Sequence, residues 1–286
     1  MWDTTNGESG GMISSARTVT PNAAVSALER RRNFLSEVVI DYGPRDVLGR
    51  LFLKADTELR ELGIELSFAP VEAMLELNRI NRDSWRPLVP ILDATIGGYN
   101  ADTGFCVLGR DRDGEIIAAH GARLYEMGPR TFKEEGESLR LWYPNPEQMQ
   151  APGESCTITC PSADKLTGRA VFFGGVWFRP DYRKVGLTSI LGRVVKAYAF
   201  TRWYSDIVFT MMIDDVFARG TAKRAGYPHA EWEVDLKNTP LGTFKLALLW
   251  ITAAEQLEYF DQYLARPHAQ VDARVEDRAA NQNRRA

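Results

Sequence analysis

The sequence predicts an α/β fold, and three features carry that prediction. Residues 171–178 are an apolar, β-branched and aromatic run, which suits a covered strand. Pro180 closes the run, and Ile190, Leu191, Val194, Val195 and Tyr198 then recur at helical spacing. Upstream, residues 104–108 and 115–124 flank Asp111-Arg112-Asp113-Gly114, and Asp-Gly between two apolar strands marks a hairpin.

The stretch 171–189 reads as strand, tight turn and helix start. Gly174 and Gly175 interrupt the strand, which suggests a bulge or a close backbone approach by a ligand. A helix that starts at the turn directs unpaired N–H groups and the positive end of its dipole there, a combination that holds phosphate. Gly186 lets the backbone approach the anion, and Arg183 and Lys184 add charge. The plain alternative is an ordinary strand-turn-helix with a solvated basic turn.

Two motifs resolve these alternatives by resemblance. Pro180-x-Tyr182-Arg183-x-x-Gly186-x-Thr188 resembles the acyl-coenzyme A motif of the GNAT N-acetyltransferase superfamily, with Thr188 in place of the usual small residue. Downstream, the apolar run 207–213 precedes Asp215-x-x-Ala218-x-x-Thr221-Ala222-Lys223-Arg224-x-Gly226-Tyr227. This segment resembles the superfamily's second motif, with Ala222 where a tyrosine is usual. The resemblance implies a mixed, mostly antiparallel central sheet flanked by helices and opened into a V between the two motif strands. Acyl-coenzyme A would lie in that V. Backbone groups of Val176, Trp177 and Phe178 would pair with its pantetheine arm. The N–H groups of Val185, Gly186, Leu187, Thr188 and Ser189 would hold its pyrophosphate, supported by Arg183 and Lys184.

Around that core, residues 1–20 are Gly-, Ser- and Thr-rich and read as a mobile lead-in. Residues 21–62 read as an N-terminal helical extension of two helices, one from Pro21 to about Ile40 and one ending before Gly63. The acyltransferase domain then spans 63–240. It begins with a strand at 64–68 and a helix after Pro70, and its proline-broken segment 86–93 is of the kind that borders an acceptor site. Residues 127–169 form an insertion with candidate strands at 138–143 and 155–160, read as lying on the substrate side. Residues 230–236 alternate as a closing strand. Leu246, Trp250, Ala253, Leu257, Phe260 and Leu264 form a stripe that predicts one long C-terminal helix over 241–266. With the helices before Ile64, that stripe offers apolar surface for a homodimer. Residues 267–286 are polar and Arg-rich and read as a disordered tail.

Composition narrows the function classes. A net charge of −3 argues against a dedicated nucleic-acid binder. No apolar run reaches the ~18 residues of a membrane span, and the N-terminus shows no apolar signal core. Three cysteines indicate a reducing, cytoplasmic setting. Cys156 and Cys160 lack a second Cys or His pair, so buried reduced thiols are expected rather than a metal site.

The resemblance implies direct attack of an amine, from a small molecule or peptide, on acetyl-coenzyme A or another acyl-coenzyme A. An alkylamine with a pKa near 10.4 is only about 0.04% neutral at pH 7, so a base has value. Candidates are Asp214 and His120, with Tyr227 or Tyr182 as donors to the leaving thiolate. Asp215 has the competing role of helix cap, and His229 reads as a surface residue of the turn. A catalytically silent acyl-coenzyme A sensor is the alternative from another class.

Overall fold

The computed structural model describes residues 33–183 and 186–267. The lead-in, the first part of the 21–62 extension, the tail after Pro267 and the site candidates Lys184 and Val185 lie outside the described residues.

From Asn33 the chain makes a short helix, α1 (Phe34–Glu37), where the sequence predicted one running to Ile40. Its end coincides with Val38-Val39-Ile40, whose β-branched side chains favour extended backbone. Helix α2 (Arg45–Glu61) forms as expected and buries Leu48, Leu51, Phe52, Ala55 and Leu59. It ends in a Schellman motif. Gly63 (φ +72°) donates to the Arg60 carbonyl and Ile64 to the Leu59 carbonyl, at 2.9 and 2.8 Å.

Strand β1 (Glu65–Ala69), helix α3 (Ala73–Ile80), β2 (Gly104–Arg110) and β3 (Ile116–Gly128) follow the sequence prediction. The hairpin turn is held by the Asp111 carboxylate, which accepts from the amides of Asp113 and Glu115. The insertion supplies α4 (Phe132–Glu137), α5 (Pro146–Met149) and β4 (Ser155–Ile158). Residues 138–143 are turn rather than strand, and Leu139 takes φ +61°. Their apolar side chains are buried without a strand's alternation.

The motif region contributes β5 (Gly168–Phe178), α6 (Leu187–Trp203), β6 (Ile207–Ile213), α7 (Asp214–Ala218) and α8 (Thr221–Arg224). A closing hairpin of β7 (His229–Thr239) and β8 (Gly242–Thr252) precedes α9 (Ala253–Ala265). The predicted helix over 241–266 is therefore strand for its first half. Strand β8 lies between two neighbours in the sheet, and Ala247, Leu248, Leu249, Trp250 and Ile251 are all buried. A strand covered on both faces loses its alternation, so the spacing of Leu246 and Trp250 passes for a helical stripe. The start of α9 is set by a capping box between Thr252 and Glu255. Thr252→Ala should lower stability by about 1 kcal/mol in chemical denaturation; an unchanged midpoint would place the helix start elsewhere.

All eight strands form one mixed sheet in the order β1-β2-β3-β5-β6-β8-β7-β4. Among the described residues only β5 and β6 are parallel; every other neighbouring pair is antiparallel. One face packs on α2, α6 and α9 through residues such as Phe105, Val171, Phe173, Val194, Phe200, Leu249 and Phe260. The insertion covers part of the other face, with the Phe132 ring 5.0 Å from that of Phe209. It also clamps β7, since Ser162 donates to the Glu231 carboxylate and Cys160 to the Trp232 carbonyl. Its observed contacts are thus structural. Phe260 of the C-terminal stripe is buried within the chain, as is the inner face of α2, and Ala253, Leu257 and Leu264 are partly buried against the same core. Among the described residues no helix is long and apolar enough to cross a membrane.

Candidate active site

Strands β5 and β6 pair only at Ala170, Val171 and Phe172 against Ile207, Val208 and Phe209. Beyond Phe172, β5 keeps β3 on one side and, among the described residues, has no strand on the other. Beyond Phe209, β6 keeps only β8 among the described residues. The two parallel strands therefore open a cleft at their C-terminal ends, the V that the resemblance implied.

The register of β5 against β3 slips between Gly174 and Trp177, which places the expected bulge at the glycine pair. Gly175 takes φ +57°. A Cβ there would stand 2.1 Å from Met74 Cε, and one at Gly174 would stand 2.5 Å from the Phe172 ring and 3.2 Å from Leu92 Cδ1. The close approach that the glycines permit is thus made by the chain's own Phe172, α3 and the segment after it. Val176 is 43% exposed. Trp177 is buried, stacked on Trp85 at 5.4 Å, and its indole donates to Ser84 Oγ at 3.0 Å.

At the end of β5, Gly186 adopts φ +84° and leads directly into α6. Among the described residues a Cβ at Gly186 would meet nothing within 4 Å. The first amides of a helix have no intrahelical acceptor; here Ser189 N–H turns back to the Gly186 carbonyl at 3.0 Å. Arg183 behaves differently from the sequence reading. Its guanidinium donates to the carbonyls of Phe178 and Ser84, at 3.0 and 2.8 Å, and ties the segment after α3 to β5. Ser84 was not singled out by sequence reasoning and no local pattern marks it, whereas Arg86 opens the proline-broken segment 86–93 that was expected to border the acceptor site.

The catalytic candidates separate. Asp214 and Asp215 open α7 at the mouth of the cleft, both exposed. Asp215 pairs with Arg86 at 3.2 Å, so a single ion pair links the β6 arm to the segment docked on β5. No side chain caps α7, which removes the capping role weighed for Asp215. His120 is buried on β3, edge-on to the Phe173 ring at 5.6 Å, with neither ring nitrogen hydrogen-bonded. Burial, and secondarily the Lys196 charge, pull its pKa down to about 3. This is a core imidazole held neutral, not a base open to an acceptor. Tyr227 is buried under the cleft, and desolvation raises its phenol pKa, so the group stays protonated. Tyr182 lies over Arg179, 4.8 Å from its guanidinium. His229 stacks on Trp250 and pairs with Glu255 at 2.7 Å. Cys156 and Cys160 are free and buried, with thiols pushed up by burial to about 12 and about 11.

No protein-family model matches the chain, and no curated protein matches it. Among solved structures it is similar to spermidine N-acetyltransferase from Vibrio cholerae, at 9% identity and TM-score 0.42, over 70% of this chain and 98% of that one. Similarity to Arabidopsis thaliana NAA60 with a bisubstrate analogue stands at 17% and 0.38, over 65% and 97%. For AAC(6')-Ib in complex with paromomycin and acetyl-CoA the values are 13% and 0.38, over 68% and 95%. Likeness at this level carries no inference about activity, and the fold assignment rests on the chain's own topology. The mixed, mostly antiparallel sheet, the parallel pair that splits after Phe172 and the helix led by Gly186 agree with what the sequence resemblance implied.

Proposed function

We propose that the chain is an N-acyltransferase that transfers an acyl group, acetyl in the simplest case, from acyl-coenzyme A to an amine. The carrying observation is the unpartnered edge of β5 running to a helix whose N-terminus is opened by Gly186 at positive φ. The residues present fit such a co-substrate. Main-chain groups at the bulge, around the exposed Val176, offer a strand-like edge for the amides of a pantetheine arm. The amides of Gly186, Leu187 and Thr188, with the helix dipole, suit a pyrophosphate. Arg183, held by two carbonyls, ties the end of β5 to the segment after α3.

The acceptor approaches the mouth bounded by Trp85, Arg86 and Asp214. Its neutral nitrogen attacks the thioester carbon, and Asp214, exposed at the end of β6, takes up the proton that the nitrogen sheds. The acceptor is a small-molecule or peptide amine. Incubation with acetyl-coenzyme A and a panel of primary amines should release free thiol above the rate without amine for at least one member. Thiol release at the background rate with every amine would contradict the reading.

A further inference from the structure

Arg86 is an exposed side chain on a closely held backbone. Its own carbonyl accepts from Nδ2 of Asn78, a residue 1% exposed, at 2.8 Å. Trp85, one position earlier, stacks on Trp177 of β5, and its amide donates to the Asn81 carbonyl at 2.9 Å. Ser84 is held twice, by the Trp177 indole on its hydroxyl and by Arg183 on its carbonyl. Pro87 follows and restricts the conformations open to Arg86 itself. The Arg86 side chain is nevertheless 64% exposed. It reaches from the β5 arm of the cleft to Asp215, which follows the β6 arm.

That ion pair does little for the fold. Both partners stand in solvent, the Asp215 side chain at 62%, and an exposed pair adds little net stability. Its geometry is also loose. One N–H meets one carboxylate oxygen at 3.2 Å. Charge-assisted bonds run about 2.7–2.9 Å, and an arginine fork takes a carboxylate best by two parallel bonds. Among the described residues neither side chain makes another hydrogen bond, and Asp215 does not cap α7. The remaining N–H groups of Arg86 are open to a better-matched anion. A fixed backbone under a loosely paired guanidinium suits a binding group, because little main-chain ordering is left to do when the ligand arrives.

We propose that Arg86 holds a carboxylate of the acceptor and that the acceptor is a free α-amino acid; the proposal rests on the acyl-coenzyme A reading above. On binding, the acceptor's carboxylate takes the Arg86 fork in place of Asp215, and the acceptor's ammonium takes up Asp215. Each charge exchanges one partner for another. Asp214, adjacent in the chain and exposed, receives the proton when the amine becomes neutral. The anion-binding contact and the proton acceptor thus meet α7 at neighbouring residues, which suits an amine and a carboxylate borne on one carbon. An acceptor with a second cation in place of the carboxylate would meet Arg86 as a like charge.

A latch that only ties the two arms together is the rival account. The test follows thiol release from acetyl-coenzyme A by the full chain. The common L-amino acids are screened, and the best of them is compared with its carboxamide and its decarboxylated amine. Wild type should prefer the amino acid over either analogue by roughly 10- to 10²-fold in kcat/KM, the range for hydrogen bonds to a charged group. Arg86→Met should bring that ratio to about one, chiefly by raising KM for the amino acid, with coenzyme A affinity nearly unchanged. A latch would instead make Arg86→Met change the use of the amino acid and of its carboxamide alike, and that result overturns the proposal. Equal use of the two by wild type, or a preference that Arg86→Met leaves intact, overturns it as well. Failure of wild type to bind coenzyme A, or background thiol release with every amine, refutes the acyl-transfer reading itself. Coenzyme A binding with thiol release only by amines that lack a carboxylate refutes the acceptor class alone.

Discussion

Gly186→Glu should abolish coenzyme A binding. The backbone at 186 sits at φ +84° next to the first amides of α6, and among the described residues nothing lies within 4 Å of a Cβ there, so on this reading a glutamate carboxylate competes with the pyrophosphate for those amides. Two like charges about 4 Å apart near a protein surface repel by about 4 kcal/mol, which corresponds to a loss on the order of 10³-fold in affinity. Left-handed backbone also strains an ordinary residue by about 1 to 2 kcal/mol. Gly186→Asn is the control, since asparagine tolerates this conformation and adds no charge. It should stay folded and weaken binding far less. Equal affinities of wild type and the glutamate variant in calorimetry would remove this turn from the site.

His120 should make the fold acid-sensitive, and His120→Leu should relieve this. An unfolded chain binds a proton on this imidazole below about 6.5, whereas the folded chain refuses it down to about 3. The folded-state pKa of this cationic acid is depressed, so its contribution is absent above 6.5 and becomes a growing destabilisation as pH falls. The slope is about 1.4 kcal/mol per pH unit, or about 2 kcal/mol between pH 6.5 and 5. Denaturation midpoints of wild type should fall over that window, and those of His120→Leu should fall less by this amount. Parallel pH dependences would mean that the imidazole is protonated in the folded protein and is not a core group.

The core of the fold was legible where local chemistry is decisive. Asp113-Gly114 fixed the β2–β3 hairpin, Gly63 the end of α2, and Gly174-Gly175 the bulge in β5. The β7–β8 hairpin was missed because β8 is buried on both faces and carries no alternation, although Thr252-x-x-Glu255 does announce the helix after it. The site was legible in its main-chain part, since Gly186 signals its own conformation. Its side chains were not. Arg183 reads as a phosphate ligand until Ser84, almost one hundred positions earlier, is seen to accept from it. His120 appears catalytic from its residue type, yet it sits on the helix-packed face beside Phe173.

The most direct measurement is a calorimetric titration of the wild-type chain with coenzyme A at neutral pH. The β5–β6 opening and the Gly186-led helix predict saturable binding at one site per chain, lost in Gly186→Glu and weakened by added pyrophosphate. Absence of binding by a folded wild-type chain, or binding that Gly186→Glu leaves intact, would contradict the assignment of this cleft.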